Sequence, residues 1–160
     1  PLRDVYKRQV YKCINDVIDE VKIQLRIEPS TDYFNQILVK KTAAVVLIDR
    51  WYKSEGQAIA YTFTLLPIET ISKFNLDLNN EDMILEFLER DIYEISSDIL
   101  VEIKYSTSGN FAAKTYPISP ENQFHLIQET LYKDSEFPIA SNKHYLPIKT
   151  SSIKFHPKKQ

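Results

Sequence analysis

The sequence predicts a single α+β domain: an antiparallel sheet of about four strands in two hairpins, packed with three or four helices, then an irregular C-terminal tail. Three observations predict it. The chain has 160 residues, 43% hydrophobic and 26% charged, which suits one core that needs no disulfide or metal. Segments of strand period follow one another across turn residues rather than across helices, so they imply hairpins. Segments of helical period carry their own start and stop residues.

In chain order, Val10, Ile14, Val17, Ile18, Val21 and Leu25 recur at helical spacing, predicting a helix from about Tyr11 to Leu25 that Pro29 closes off. Val21, Ile23, Leu25 and Ile27 also alternate, which is a strand pattern. Gln36 to Tyr52 is rich in β-branched and large apolar residues and holds the longest apolar run, Ala43 to Ile48, which reads as a central strand. Gln57 to Leu66 alternates, with Ile59, Tyr61, Phe63 and Leu65 on one side. Lys53-Ser54-Glu55-Gly56 between the two is a hairpin loop. Aromatics at alternate strand positions, here with Trp51 nearby, pack in a core more often than they form a base-stacking surface.

A short helix is expected from Pro67 to about Phe74. Asn80 is an N-cap, with Glu81 and Asp82 in the first turn, and Met83, Ile84, Phe87, Leu88, Ile92 and Ile95 carry helical spacing on to Ile95. Ile99 to Tyr105 alternates as a strand. Ser106 to Asn110 is a turn, and Phe111 to Tyr116 is the expected returning strand. Ser119-Pro120-Glu121 reads as a helix start, with the helix running to about Lys133. Pro138, Pro147 and Pro157 mark the remainder as irregular, with short strands near Tyr145 and Ile153.

The first nine residues stand apart. Asp4-Val5-Tyr6-Lys7-Arg8-Gln9 is the in-frame translation of GAT GTG TAT AAG AGA CAG, which resembles the mosaic end used in transposase-based sequencing libraries. Pro1 to Gln9 are therefore expected not to be native, and the domain is expected over residues 10–140. The native N-terminus, with any signal peptide, would then be missing. Without those nine residues, 17 basic groups face 21 acidic ones. All five basic groups of residues 141–160 are lysines, with no acid among them, so an acidic body is followed by a basic tail.

Several chemistries are excluded. Two glycines, Gly56 and Gly109, cannot build a phosphate-cradling loop or a dinucleotide fingerprint, and no G-x-S-x-G elbow exists. One cysteine, Cys13, permits no intramolecular disulfide and reads as a small buried hydrophobe. His125, His144 and His156 show no zinc spacing and read as solvated side chains in or near loops. No stretch approaches the roughly 18 apolar residues of a membrane helix, so no membrane partner and a cytoplasmic location are expected.

One string could carry catalysis. In Val101-Glu102-Ile103-Lys104 an acid and a lysine two apart share one face of a strand. Asp91 stands eleven residues earlier, a spacing that resembles the PD-(D/E)xK nucleases over residues 90–132. The resemblance implies Mg²⁺ held by Asp91 and Glu102, with Lys104 activating the attacking water. Gln128 and Tyr132, as a Q-x-x-x-Y pair on a helix, resemble a motif of the RecB-like branch and imply an assisting role for Gln128. The geometry requires residues 91–95 to extend and pair opposite Glu102, whereas the spacing from Met83 to Ile95 favours a helix. The family's preceding glycine and proline are missing.

Asp77 to Glu102 holds nine acids and one base, Arg90: a solvated helix face, or a surface for a basic partner. In the tail, Lys143, Lys149, Lys154, Lys158 and Lys159 mix with His144, Tyr145, Phe155 and His156, a composition that can bind single-stranded nucleic acid. It can equally lie across the acidic body. The leading expectation is a small, bacterial, non-enzymatic accessory or interaction domain that recognises a protein partner by charge and needs no cofactor. The metal-dependent nuclease and the nucleic-acid-binding tail are its alternatives.

Overall fold

The computed structural model describes residues 9–109, 115–134 and 136–155. Its framework is one six-stranded antiparallel sheet in the order β1-β2-β3-β6-β5-β4. The strands are β1 (Glu20–Pro29), β2 (Ala44–Ser54), β3 (Gln57–Pro67), β4 (Asp98–Ser106), β5 (Phe124–Tyr132) and β6 (Pro138–Pro147). Two three-stranded meanders are thus joined through β3 and β6, where Tyr61 pairs with Tyr145 and Thr64 with Asn142. The helices are α1 (Gln9–Cys13), α2 (Asp32–Leu38), α3 (Ile68–Lys73), α4 (Glu81–Glu86) and α5 (Ile92–Ile95), the last two linked by a π-helical segment, Phe87–Asp91. A 3-10 turn, Ile148–Thr150, follows β6.

The α+β class and the first hairpin are as the sequence predicts. Glu55 and Gly56 sit at φ 50° and 81°, the pair of positive values that a two-residue type I′ turn needs. Asn80 caps α4 by accepting a bond from the Met83 amide at 3.1 Å. Asn80→Ala should lower stability by about 1 kcal/mol, readable as a shift in the urea midpoint at unchanged slope.

The sheet has six strands rather than four. Residues 20–29 are strand, not helix: the alternation of Val21, Ile23, Leu25 and Ile27 prevails because β2 offers ten paired positions. The helix expected to start at Ser119-Pro120-Glu121 and run to about Lys133 is not there: Phe124–Tyr132 is β5, a strand with buried residues on both faces. The basic tail is not irregular: β6 lies between β3 and β5 inside the sheet. Gln36 to Leu38 belong to α2, so β2 begins only at Ala44. Of the expected strand 111–116, residues 111–114 lie outside the described residues, and Thr115 and Tyr116 form a turn and bend.

Each face of the sheet is covered twice. On the first, α4, the π segment and α5 bury Ile84, Leu88 and Ile92 against Val46, Ile48, Leu66, Leu131 and Ala140. Further along the same face, α1 buries Val10, Cys13 and Ile14 against Tyr52, Ala60, Ile127 and Leu146. On the second face, α2 places Leu38 on Val45, Leu47 and Leu65. Beside it, Tyr116 and Ile118 pack on Trp51, Tyr61, Phe124, Leu126 and Tyr145, so these aromatics are core. Cys13 is buried, as its composition suggested.

Candidate functional site

The residues picked out for nuclease chemistry do not converge. Asp91 lies in the π-helical segment above the first face. Glu102 alternates with Val101 and Ile103, and Val101 packs on the first face, so Glu102 points to the second. The sheet separates the two acids, and the ion cradle expected of them is corrected on that ground. Lys104 does share a face with Glu102, at 3.8 Å, with both side chains about half exposed. Gln128 is on β5 directly opposite Glu102, and with Tyr132 it lies on a strand, not a helix. Among the described residues no three His, Cys, Asp or Glu side chains gather as metal ligands.

The lysines of the C-terminal segment do not form one surface either. Lys143 is half-buried on β6, Lys149 pairs with Glu121 at 2.8 Å, and Lys154 is exposed. Lys158, Lys159 and His156 lie outside the described residues.

The concentration of chemistry is elsewhere, in the middle of the first face between its two apolar clusters. Strand alternation brings Arg50 and Tyr52 of β2, Thr62 and Thr64 of β3, Asn142 and His144 of β6, and Glu129 of β5 into one layer. All seven are at least nine-tenths buried. Glu89 and Tyr93 reach it from the helix above, and the π turn between α4 and α5 is the kind of local widening that recurs at functional sites.

The hydrogen bonds run from Arg50 to two carboxylates. Arg50 Nη1 donates to the Tyr52 hydroxyl at 2.9 Å, which donates to Glu89 Oε2 at 3.0 Å. Arg50 Nη2 donates to Thr64 Oγ1 at 3.1 Å, and Thr64 donates to Asn142 Oδ1 at 2.6 Å. Asn142 Nδ2 donates in turn to Glu129 Oε1 at 3.3 Å. The same oxygen accepts from the Tyr93 hydroxyl at 2.7 Å and contacts His144 Nε2. His144 Nδ1 lies 2.7 Å from Thr62 Oγ1. With Nε2 donating to the carboxylate, a neutral imidazole has Nδ1 left to accept the Thr62 proton.

Two atoms of this layer are buried without a partner: Arg50 Nε and Glu129 Oε2. An unmet donor and an unmet acceptor, both charged, cost more than any others to leave so. The environment nevertheless holds the guanidinium charged. Burial opposes the charge, but Tyr52, Tyr93, Glu89 and Glu129 outweigh it and the Arg50 pKa is raised.

Burial, with smaller contributions from neighbouring carboxylates, also drives the phenols of Tyr52, Tyr61 and Tyr93 well above their ordinary value. The unfolded chain releases phenolic protons near pH 10 and the folded chain does not, so their contribution is complete below about pH 10 and is lost as pH rises beyond it. Each should add about 1.4 kcal/mol of lost stability per pH unit there. Urea titrations between pH 9 and 11.5 should show that slope shrinking in Tyr52→Phe and Tyr93→Phe.

The layer encloses a cavity of about 10 Å³ lined by Arg50, Tyr52, Tyr93, Glu89, His144 and residues of α1, near the lower limit of room for one water. A larger groove of about 530 Å³ lies beside Gln57, Ala58 and residues 115–120. It has the volume of a ligand pocket, but among the described residues no charged side chain lines it. Convergent buried polar groups decide in favour of the Arg50 layer.

His144, expected as a solvated side chain of the basic tail, is instead buried on β6, and Glu129 was not anticipated as a member of any site. The readable clue was the pair of polar residues at alternate positions of β3, Thr62 and Thr64, between large apolar neighbours; they stand opposite His144 and Asn142 of β6.

No protein-family model matches the sequence, and no curated protein matches it. Solved structures do match its fold. The ligand-binding domain of a protein assigned to the GntR family of transcriptional regulators from Bordetella bronchiseptica superposes with a TM-score of 0.67 at 12% identity, over 91% of this chain and 97% of that one. A GntR-family transcriptional regulator from Enterococcus faecalis V583 gives 0.66 at 9% identity, over 88% and 100%. YydK from Bacillus subtilis subsp. subtilis str. 168, a transcriptional regulator candidate, gives 0.65 at 13%, over 86% of this chain and only 62% of its own length. At these identities the likeness is one of fold. No helix among the described residues is long and apolar enough to cross a membrane.

Proposed function

We propose that this chain is the effector-sensing domain of a transcriptional regulator and that the effector binds in the polar layer around Arg50. The observation that carries the reading is the burial of Arg50 and Glu129 in one layer, each with an unused polar atom, among seven further polar side chains. A purely structural core gains nothing from an unmet donor and acceptor, whereas a binding site keeps such groups for its ligand. The fold supports the reading, since one matching structure is described as a regulator's ligand-binding domain.

The donor set points to the ligand class. A guanidinium fork suits a carboxylate or phosphate, while hydroxyls, an amide, an imidazole and two carboxylates suit a polyol. A small polyhydroxylated anion, such as a hexose phosphate, fits both. The cavity holds one water at most, so binding displaces α1 or the π turn, the two elements that close it.

The test is thermal unfolding of the protein with inorganic phosphate, gluconate, glucose and glucose 6-phosphate in turn. A ligand at a hundred times its Kd stabilises by about 2.7 kcal/mol, which for a domain of this size raises Tm by roughly 5–10 °C. The polyhydroxylated anions should produce the rise, and Arg50→Lys should lose most of it. No rise with any compound, or an equal rise in Arg50→Lys, contradicts the assignment.

A further inference from the structure

The layer around Arg50 sets one arginine against two carboxylates, and the two are held differently. Glu129 belongs to the sheet, is fully buried, and its Oε1 serves Tyr93, Asn142 and His144. Glu89 belongs to the π segment and is half-buried. Among the described residues it accepts one side-chain bond, from the Tyr52 hydroxyl at 3.0 Å. Tyr52 accepts in turn from Arg50 Nη1 at 2.9 Å, so a carboxylate already stands at the end of a guanidinium-to-phenol relay. Glu89 also sits inside the widened turn, where the Ile92 amide reaches back five residues to the Phe87 carbonyl. A ligand anion added to this set would put three negative charges around one guanidinium, in a site where like charges repel strongly. One carboxylate has to leave. Glu89 gives up one hydrogen bond and gains water, whereas moving Glu129 would strip three side chains of their acceptor.

We propose that Glu89 is an internal occupant of an anion subsite: its carboxylate stands against Tyr52 and Arg50 where a ligand's anionic group binds, and the ligand binds by expelling it. Which ligand expels it rests on the effector reading; the subsite itself does not. The exchange makes Glu89 a specificity-determining residue. A ligand with one anionic group replaces one carboxylate by another and leaves the charge of the layer as it was. A neutral polyol has two courses, both unfavourable. It either shares a cavity of about 10 Å³ with Glu89 in place, or it expels Glu89 and removes a negative charge from beside Arg50 without returning one. The exchange also sets the affinity, because the ligand competes with a group already at the site. A protein whose Glu89 is swung out about one time in ten binds its ligand about tenfold more weakly than one with no competitor.

The experiment uses the full chain and two variants, with far-UV circular dichroism as the folding control. Glu89→Ala removes the part of the side chain that acetate reproduces. Acetate at ten times its Kd should raise the Tm of this variant by roughly 3 °C or more. Acetamide and sodium chloride at equal concentration should not, and wild type should respond to none of the three. Glu89→Gln keeps an oxygen acceptor for Tyr52 and discards the charge, so it folds even if the alanine variant does not. Calorimetric titration should show it binding glucose 6-phosphate about tenfold more tightly than wild type. An alanine variant that folds but ignores acetate, or a wild type that responds equally, overturns the proposal whatever the effector is. Glucose 6-phosphate bound equally by wild type and Glu89→Gln overturns it too, since no competitor is then being expelled. Rescue by acetate with no sugar anion bound by any of the proteins supports the subsite and contradicts the effector reading instead.

Discussion

Arg50→Ala is expected to cost about 3–5 kcal/mol of folding stability, the range for stripping one partner from a buried charge network, and to eliminate effector binding. The loss follows from position. Arg50 is 2% exposed, and its two terminal nitrogens start both hydrogen-bond chains of the layer. Without it Tyr52 and Thr64 lose a donor, and Glu129 remains buried without the guanidinium charge. Arg50→Lys keeps a cation at the position but cannot serve Tyr52 and Thr64 at once while offering a third donor. It should keep most of the stability, within about 2 kcal/mol of wild type, and still lose the ligand. Chemical denaturation separates the two variants, and the melting shift with the anionic polyol reads the binding.

Glu129→Leu is the second large effect, also expected near 3–5 kcal/mol. Glu129 is fully buried, and its Oε1 accepts from Tyr93 and Asn142 and contacts His144. A leucine leaves those groups without an acceptor and Arg50 without a nearby carboxylate. Glu129→Gln offers a contrast that arises from the one-sided use of the carboxylate. An amide oxygen in the place of Oε1 can keep the same partners, and the amide nitrogen occupies the place of the unpartnered Oε2. Its stability cost should be less than half that of the leucine variant. If Oε2 accepts a ligand hydroxyl, the glutamine variant should bind at least about tenfold more weakly, because a donor now faces a donor. Equilibrium unfolding of the two variants side by side checks the first statement, and calorimetric titration checks the second.

The sequence made the elements with local markers legible. The Glu55-Gly56 turn needs two positive φ values, and the Asn80 cap announces α4; both hold. The elements that went unread are those whose partners lie far along the chain. β1 carries helix-compatible and strand-compatible patterns together, and only its ten-residue register with β2 decides between them. β5 follows a helix-start string, Ser119-Pro120-Glu121, yet Ser119 bonds Glu121 and the chain extends three residues later. β6 looked like a tail because of its lysines and flanking prolines, although Pro138 and Pro147 occupy strand ends, where a missing amide is tolerated.

The site was legible only in fragments. Its members come from four strands and a helical segment, with 93 residues between Arg50 and His144, and no spacing rule spans such a distance. Arg50 sits two residues beyond the apolar run 43–48, where nothing in the local sequence distinguishes it from a solvent-facing strand charge. The acid and lysine of β4 had a recognisable motif but lacked a partner on their own face, because Asp91 belongs to the helix above the other one.

The most direct test of the account follows the methyl resonances of Thr62 and Thr64 and the imidazole resonances of His144 by NMR, as the protein is titrated with the compound that raises Tm most. The account predicts large, saturable shifts at these three residues, abolished in Arg50→Lys, with the groove residues Gln57 and Tyr116 unmoved. Shifts confined to Gln57 and Tyr116, with the three layer residues silent, would contradict it.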